Sequence, residues 1–226
     1  MPEKKKGVGA ASYHRAELKS ELLDAAVKLL EADGIEGFSL RKVASLVGVS
    51  HAAPYRHFKN RDELIGEILM EGHRRLTTYL TSARKGTGSA VDALFRMERA
   101  YLEFARENAV YLSLMFSRHG MKTMVTLEKG RKHAIPEEYD SFGVLESCVA
   151  LCQREGSFDP SLETAALAMN VWANVHGLAL LMNEGIIEAM CAQRGIPAKK
   201  AFAAIADTAR ALLAGTRKIT SRGSSY

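Results

Sequence analysis

The chain has 226 residues, 47% apolar and 25% charged, with a net charge of +5. This is the balance of a soluble globular chain, long enough for one large domain or a small one joined to a medium one, and it excludes disordered and fibrous classes. Three cysteines exclude a disulfide framework and fit a reducing, cytoplasmic setting.

Ala and Leu abound, prolines number five, and alternating runs of Val, Ile and Thr are missing, so the expected fold class is all-α. The opening MPEKKKGVGA carries cations without an apolar run behind them. Residues 1–13 read as a loose basic tail and not as a signal peptide. From Arg15, Leu18, Leu22, Ala25, Ala26 and Leu29 recur at helical spacing, and Gly34 is placed to end that first helix as a left-handed cap. Ser39 is the expected N-cap of a second helix, with Phe38 and Val43 in the positions of a hydrophobic staple. Gly48 stops it with a positive-φ turn. Val49 and Ser50 repeat the device of an apolar residue and a cap, and a third short helix is expected to reach about Phe58. Asn60, with Glu63 three residues on, caps a long helix from Arg61 to about Ser82.

The segment Gly86-Thr87-Gly88-Ser89 is the clear break in composition, and the domain junction is placed near it. Helices are expected over about 90–107, 109–117, 120–133, 136–155, 161–190 and 198–214. Gly156 and Gly215 serve as C-caps, and Pro136, Pro160 and Pro197 as helix starts, Pro160 with Asp159 before it as cap. The organisation read this way is a tail (1–13), a DNA-binding domain (14–60), a linking helix (61–85), a helical domain (86–215) and a flexible tail (216–226).

Residues 39–58, SLRKVASLVGVSHAAPYRHF, have helix-turn-helix grammar. Ala44 is small where two helices cross, Gly48 allows the turn, and Val43, Val47 and Val49 pack beneath. No acid occurs between Glu36 and Asp62, while Arg41, Lys42, Arg56, Lys59 and Arg61 lie there with His51 and His57. A basic patch on such a motif points to a polyanion partner. Pro54 is the odd residue. It predicts a recognition helix that starts late or opens irregularly, and it biases Ala53 away from the α region.

The first helix, the helix-turn-helix and the run YRHFKNRDEL resemble the DNA-binding domain of TetR-family bacterial transcriptional regulators. Trp172, His176 and Gly177, in WANVHG, resemble the Trp-x3-His-Gly signature of one group of C-terminal domains in that family. Ala53-Pro54 stands where many relatives have Thr-Leu. The resemblance implies double-stranded DNA as partner, bound at a near-palindromic operator by a homodimer. Ser39, Arg41, Ser50, His51, Ala52, Ala53, Tyr55, His57, Lys59 and Arg61 are then the expected DNA-facing residues. His51 is the expected base reader, Arg41 meets guanine or phosphate, and Ala52 and Ala53 lie close to thymine methyls. Ser39, Tyr55, His57, Lys59 and Arg61 are the phosphate set. Tyr55 is equally readable as core, and Phe58 reads as core.

The resemblance implies that the C-terminal half binds an unknown, largely apolar effector and dimerises, with DNA release as the outcome. Phe95, Tyr101, Phe104, Tyr111, Met115, Phe116, Met124, Trp172 and His176 are the candidate pocket residues, although such a set at helical spacing is more often core. Thr164 to Asn183 carries no formal charge over a membrane-span length. Its Asn and His residues and small side chains favour a helix buried by protein over a membrane helix. Ala165, Ala168, Met169, Trp172, Val175, Leu178, Leu181 and Met182 are the expected dimer-interface residues. No catalytic, metal or cofactor site is expected: Cys-x2-Cys and His-x3-His pairs, phosphate loops and Gly-x-Ser-x-Gly are all missing. The competing reading is an architectural DNA binder of the same fold without an effector.

Overall fold

The computed structural model describes residues 10–129, 136–197, 200–201, 204–205 and 208. Among them are α-helices and 3-10 turns and no strand. In chain order the helices are α1 (Ala10–Gly37), α2 (Leu40–Val47), α3 (Arg61–Arg84), α4 (Ala90–Glu107) and α5 (Ala109–Met115). They continue with α6 (Arg118–Lys129), α7 (Ser141–Arg154), α8 (Thr164–Asn183) and α9 (Ile186–Gln193). Single 3-10 turns occupy Pro54–Arg56 and Glu137–Tyr139.

The chain divides into two compact units. One is Met1–Glu71 with Val110–His133, the other Gly72–Ala109 with Ala134–Tyr226. The division runs through α3 and not through the Gly86–Ser89 segment.

In the first unit Leu22, Ala26 and Leu29 of α1 are buried with Leu40, Val43 and Ala44 of α2, and α1 packs on α2. Leu64, Ile65, Ile68 and Leu69 of α3 and Leu112 and Met115 of α5 complete that core. Full burial of each of the Leu, Ile, Val and Met side chains is worth about 1.5–3 kcal/mol. α1 begins at Ala10, inside the stretch expected as a tail. Its break is at Gly34, where φ is positive (64°) but ψ of −174° lies outside the left-handed helical region, so three more residues wind on before Phe38. Ser117 joins α5 to α6: its hydroxyl donates to the Leu114 carbonyl (2.8 Å) and accepts from the Gly120 N–H (2.9 Å).

In the second unit α4 packs on α7 and α8, α7 on α8, and α8 on α9. The glycine-rich segment after α3 is a clamped corner. Arg96 donates from Nε to the Ala83 carbonyl (3.0 Å) and from its two terminal nitrogens to Thr87 (2.9 Å) and Gly86 (3.0 Å). These bonds satisfy carbonyls that the end of a helix leaves unpaired. Ser89 and Asp92 then form a reciprocal capping box that starts α4. The Glu155 carboxylate accepts from the Ala90 N–H (2.8 Å), tying the end of α7 to the start of α4.

Two expected helix boundaries differ. The helix expected over 161–190 begins at Thr164 and is cut at Gly185, whose φ of 66° takes the backbone out of the helix. Pro160 does not start it. Asp159 instead accepts from the Ser161 N–H and hydroxyl, and Gln153 donates to the carbonyls of Asp159 (3.0 Å) and Leu162 (2.8 Å), holding the loop open. Glu163 supplies the cap, accepting from the Ala166 N–H at 2.6 Å. Pro136 likewise precedes a 3-10 turn, and α7 starts at Ser141 behind an Asp140 cap. Gly156 has the expected positive φ of 72°. The expected cap Gly215, most of the helix expected over 198–214 and the tails lie outside the described residues.

Candidate nucleic-acid interface

α2 starts as its sequence requires. Ser39 is extended (φ −152°, ψ 149°) and its Oγ accepts from the Lys42 N–H at 3.3 Å. It ends in a Schellman motif. Gly48 is left-handed (φ 77°, ψ 26°), its N–H donates to Ser45 O (3.2 Å), and the Val49 N–H reaches Ala44 O (3.0 Å). The turn of the helix-turn-helix is therefore written in Ala44, Gly48 and Val49.

The third short helix expected to reach about Phe58 does not form as an α-helix: the segment is irregular and holds a single 3-10 turn over Pro54–Arg56. Ala53 N–H donates to Ser50 O (2.9 Å), Arg56 N–H to Ala53 O (3.1 Å), and His57 and Phe58 N–H both to Pro54 O (2.9 Å). Pro54 is the first residue of the 3-10 turn, where a missing N–H leaves no acceptor short. The expected displacement of Ala53 from the α region is overturned: it sits at φ −62°, ψ −45°. Burial of Pro54 and the 3-10 bonding on either side outweigh a local bias of this kind.

Arg41, Ser50, His51, Ala52, Tyr55 and Lys59 are exposed, and Ser39, Ala53 and His57 half-exposed. The open alternative for Tyr55 resolves to the surface, at 53% exposure, while Phe58 is core at 1%. Arg56, given no role above, is exposed beside Tyr55. Its position in the basic run was the available signal. His57 is held below the usual imidazole value by partial burial first, then by Arg15, Lys19 and Arg56, which records the positive potential of this surface. Lys42 is paired with Asp33 (2.7 Å).

Arg61, expected in the phosphate set, is half-buried. Its guanidinium donates to the Ile35 carbonyl and lies 5.8 Å from the Phe38 ring centroid. It pins the start of α3 to the corner between α1 and α2. Asn60 caps α3, its side chain accepting from the Glu63 N–H (2.9 Å), while the Glu63 carboxylate accepts from the Lys59 N–H.

The candidate pocket residues fall on both units. Tyr111, Met115, Phe116 and Met124 belong to the first, and Phe95, Tyr101, Phe104, Trp172 and His176 to the second. Tyr101, Phe104, Tyr111 and Met115 are core, at 9% exposure or less. Trp172 and His176 stack at 5.4 Å, and the Tyr101 hydroxyl lies 2.7 Å from His176 Nδ1. Burial pushes the Tyr101 phenol up to about 12, opposed by a hydrogen bond from Trp172, and burial lowers His176. The pair is therefore a protonated phenol and a neutral imidazole sharing one hydrogen bond.

Thr164–Asn183 is long and apolar enough to cross a membrane by length and composition. Ala168, Val171, Val175 and Ala179 form its buried stripe. Ala168 and Val175, expected at a dimer interface, are thus committed to the core of their own unit. Met169 (55% exposed), Leu180 and Leu181 lie outside the stripe, followed by exposed Ile186 and Met190 on α9.

Comparison with known proteins agrees with this geometry. The family model for bacterial regulatory proteins of the tetR family matches residues 22–68, and the tetracyclin repressor-like C-terminal domain model matches 94–208. The nucleoid occlusion factor SlmA of Haemophilus ducreyi is 26% identical over 93 residues, 41% of this chain and 46% of SlmA. The chain thus spans about half the length of that relative. An uncharacterised helix-turn-helix-type transcriptional regulator of Haemophilus influenzae is 28% identical over 155 residues, 66% of this chain and 76% of the relative. A protein of unknown function from Rhodococcus sp. RHA1 aligns with a TM-score of 0.65 at 26% identity, over 91% of this chain and 96% of that one. With both halves matched in order, and with α2, its glycine-built turn and the Pro54–Arg56 turn in place at residues 39–58, the chain belongs to the TetR family of bacterial regulatory proteins.

Proposed function

We propose that the protein is a sequence-specific, cytoplasmic repressor that binds a near-palindromic operator as a homodimer and is released by a small, largely apolar effector. One observation carries the DNA-binding part: Arg41, His51, Tyr55, Arg56 and Lys59 are exposed on one acid-free segment around the helix-turn-helix. Residues 14–60 read the DNA, and the helical remainder, with its Trp-x3-His-Gly resemblance, holds the effector and the dimer contact. Met169 and Leu181 fit that contact because they are exposed apolar residues on a helix whose opposite stripe is already buried. Recognition segments of the two subunits then enter successive major grooves, about 34–36 Å apart. α3 belongs to both compact units and is one of the covalent routes between them. An effector that favours a released arrangement needs roughly a 10⁴-fold preference for it to empty a nearly full operator.

The test is selection of duplexes from a random library at about physiological salt, followed by footprinting. A two-fold symmetric consensus is expected. Binding without a consensus, with a steep salt slope, would instead support an architectural binder. That second reading draws on the likeness to a protein named as a nucleoid occlusion factor. The consensus duplex is then the probe for an effector-release screen.

A further inference from the structure

Ser45 Oγ lies 3.0 Å from the Arg41 carbonyl and 3.4 Å from His51 Nε2. A serine hydroxyl has one proton and two lone pairs. The shorter contact is the back-bond that helical serines make to the carbonyl four residues earlier. A carbonyl can only accept, so the proton lies there. What Ser45 offers His51 is a lone pair. A neutral imidazole that meets a lone pair through Nε2 carries its proton on Nε2, which leaves Nδ1 as an acceptor. His51 is exposed, at the opening of the turn that precedes Pro54.

We propose that Ser45 sets the tautomer of His51, so that neutral His51 presents Nδ1 to the major groove and reads an exocyclic amino group, adenine N6 or cytosine N4. The inference rests on the DNA-binding reading of residues 39–59. Guanine shows only N7 and O6 acceptors in that groove and thymine only O4, so neither base offers Nδ1 a donor. A histidine of the opposite tautomer would offer a proton instead and would favour guanine. Ser45 is a positioning residue here, and His51 is the group that touches the base. The hydroxyl on α2 thus decides the chemistry of a residue that lies beyond the turn.

The experiment uses the full chain and its selected consensus duplex at about pH 8. The His51→Ala variant first identifies the base pair whose preference depends on His51. That pair is rebuilt with its amino group deleted (purine for adenine, 2-pyrimidinone for cytosine) or with a purine N7 replaced by carbon. Amino deletion is expected to weaken wild-type binding about five- to tenfold and to leave His51→Ala unaffected, while the N7 replacement is silent. Ser45→Ala should shrink the amino penalty to about twofold, and Ser45→Thr, which keeps the hydroxyl, should restore it. Ser45 is exposed, so both variants should melt like wild type. An N7 penalty with silent amino deletion would show that His51 donates, and a full amino penalty in Ser45→Ala would show that Ser45 does not set the tautomer. Either overturns the proposal. A consensus that survives His51→Ala at every position overturns it while leaving the DNA-binding reading intact. No consensus at all removes both.

Discussion

Arg61 donates to the Ile35 carbonyl and lies over the Phe38 ring, so part of its guanidinium is engaged within the fold. Its place at the end of a basic run could not show this, because the acceptor is a backbone group 26 residues away. Arg61→Ala should therefore lower stability by about 1.5–3 kcal/mol, the range for a hydrogen bond involving a charged group, and leave the salt slope of DNA binding unchanged. Unchanged stability with a salt slope reduced by about one would return Arg61 to the phosphate set. Gly120 makes a second residue-scale case. A Cβ there would stand 1.9 Å from the Leu114 carbonyl oxygen and 3.2 Å from a Leu69 methyl. The first of these is backbone and cannot rotate away. Gly120→Ala should cost about 3 kcal/mol in denaturant unfolding, the upper end for overpacking. A change under about 0.5 kcal/mol would show that α5 and α6 can part there.

At the scale of elements, helix ends follow local chemistry where the signal is a glycine in its own turn. Gly48 and Gly156 cap as their sequences imply, both with positive φ. Proline was a poorer guide, because its tolerance at a helix start does not oblige a helix to start. At Pro160 a distant Gln153 holds the loop open and Glu163 three residues on caps instead. α3 also carries a pH response. Burial lowers His73 from the usual 6.5, and His57 and His176 are lowered as well, each chiefly by burial. A group whose folded value is depressed below its unfolded one binds more protons when unfolded. This stabilisation is present above the unfolded value and declines as pH falls below about 6.5. Denaturant midpoints should drop between pH 7.5 and 5.5, and His73→Gln should flatten the drop. An equal drop in that variant would assign the response to other groups.

At the scale of the whole molecule, the open question is what covers the apolar surface of α8 and α9. Met169 and Leu181 are 55% and 43% exposed, so replacing them should leave the core of the unit untouched. Met169→Lys with Leu181→Lys is expected to shift sedimentation from dimer to monomer and to weaken operator binding by at least about tenfold. One half-site alone would then have to hold the DNA. A double variant that remains dimeric, with unchanged melting, would move the interface elsewhere.

Sequence alone determined the helical class, α2 and the glycine-built turn that follows it, the caps at Ser39 and Asn60, and the basic segment on which the family resemblance rests. These depend on neighbours within about one helical turn, where a side chain and its partner are fixed by the same few dihedral angles. Tertiary structure decided which side chains of each element remain outside. It placed Tyr55 at the surface, turned Arg61 inward, joined Tyr101 to His176 across 75 residues of chain, and split the candidate pocket residues between two compact units. Those outcomes depend on which distant helix arrives against each face, and helical periodicity names the face without naming the neighbour.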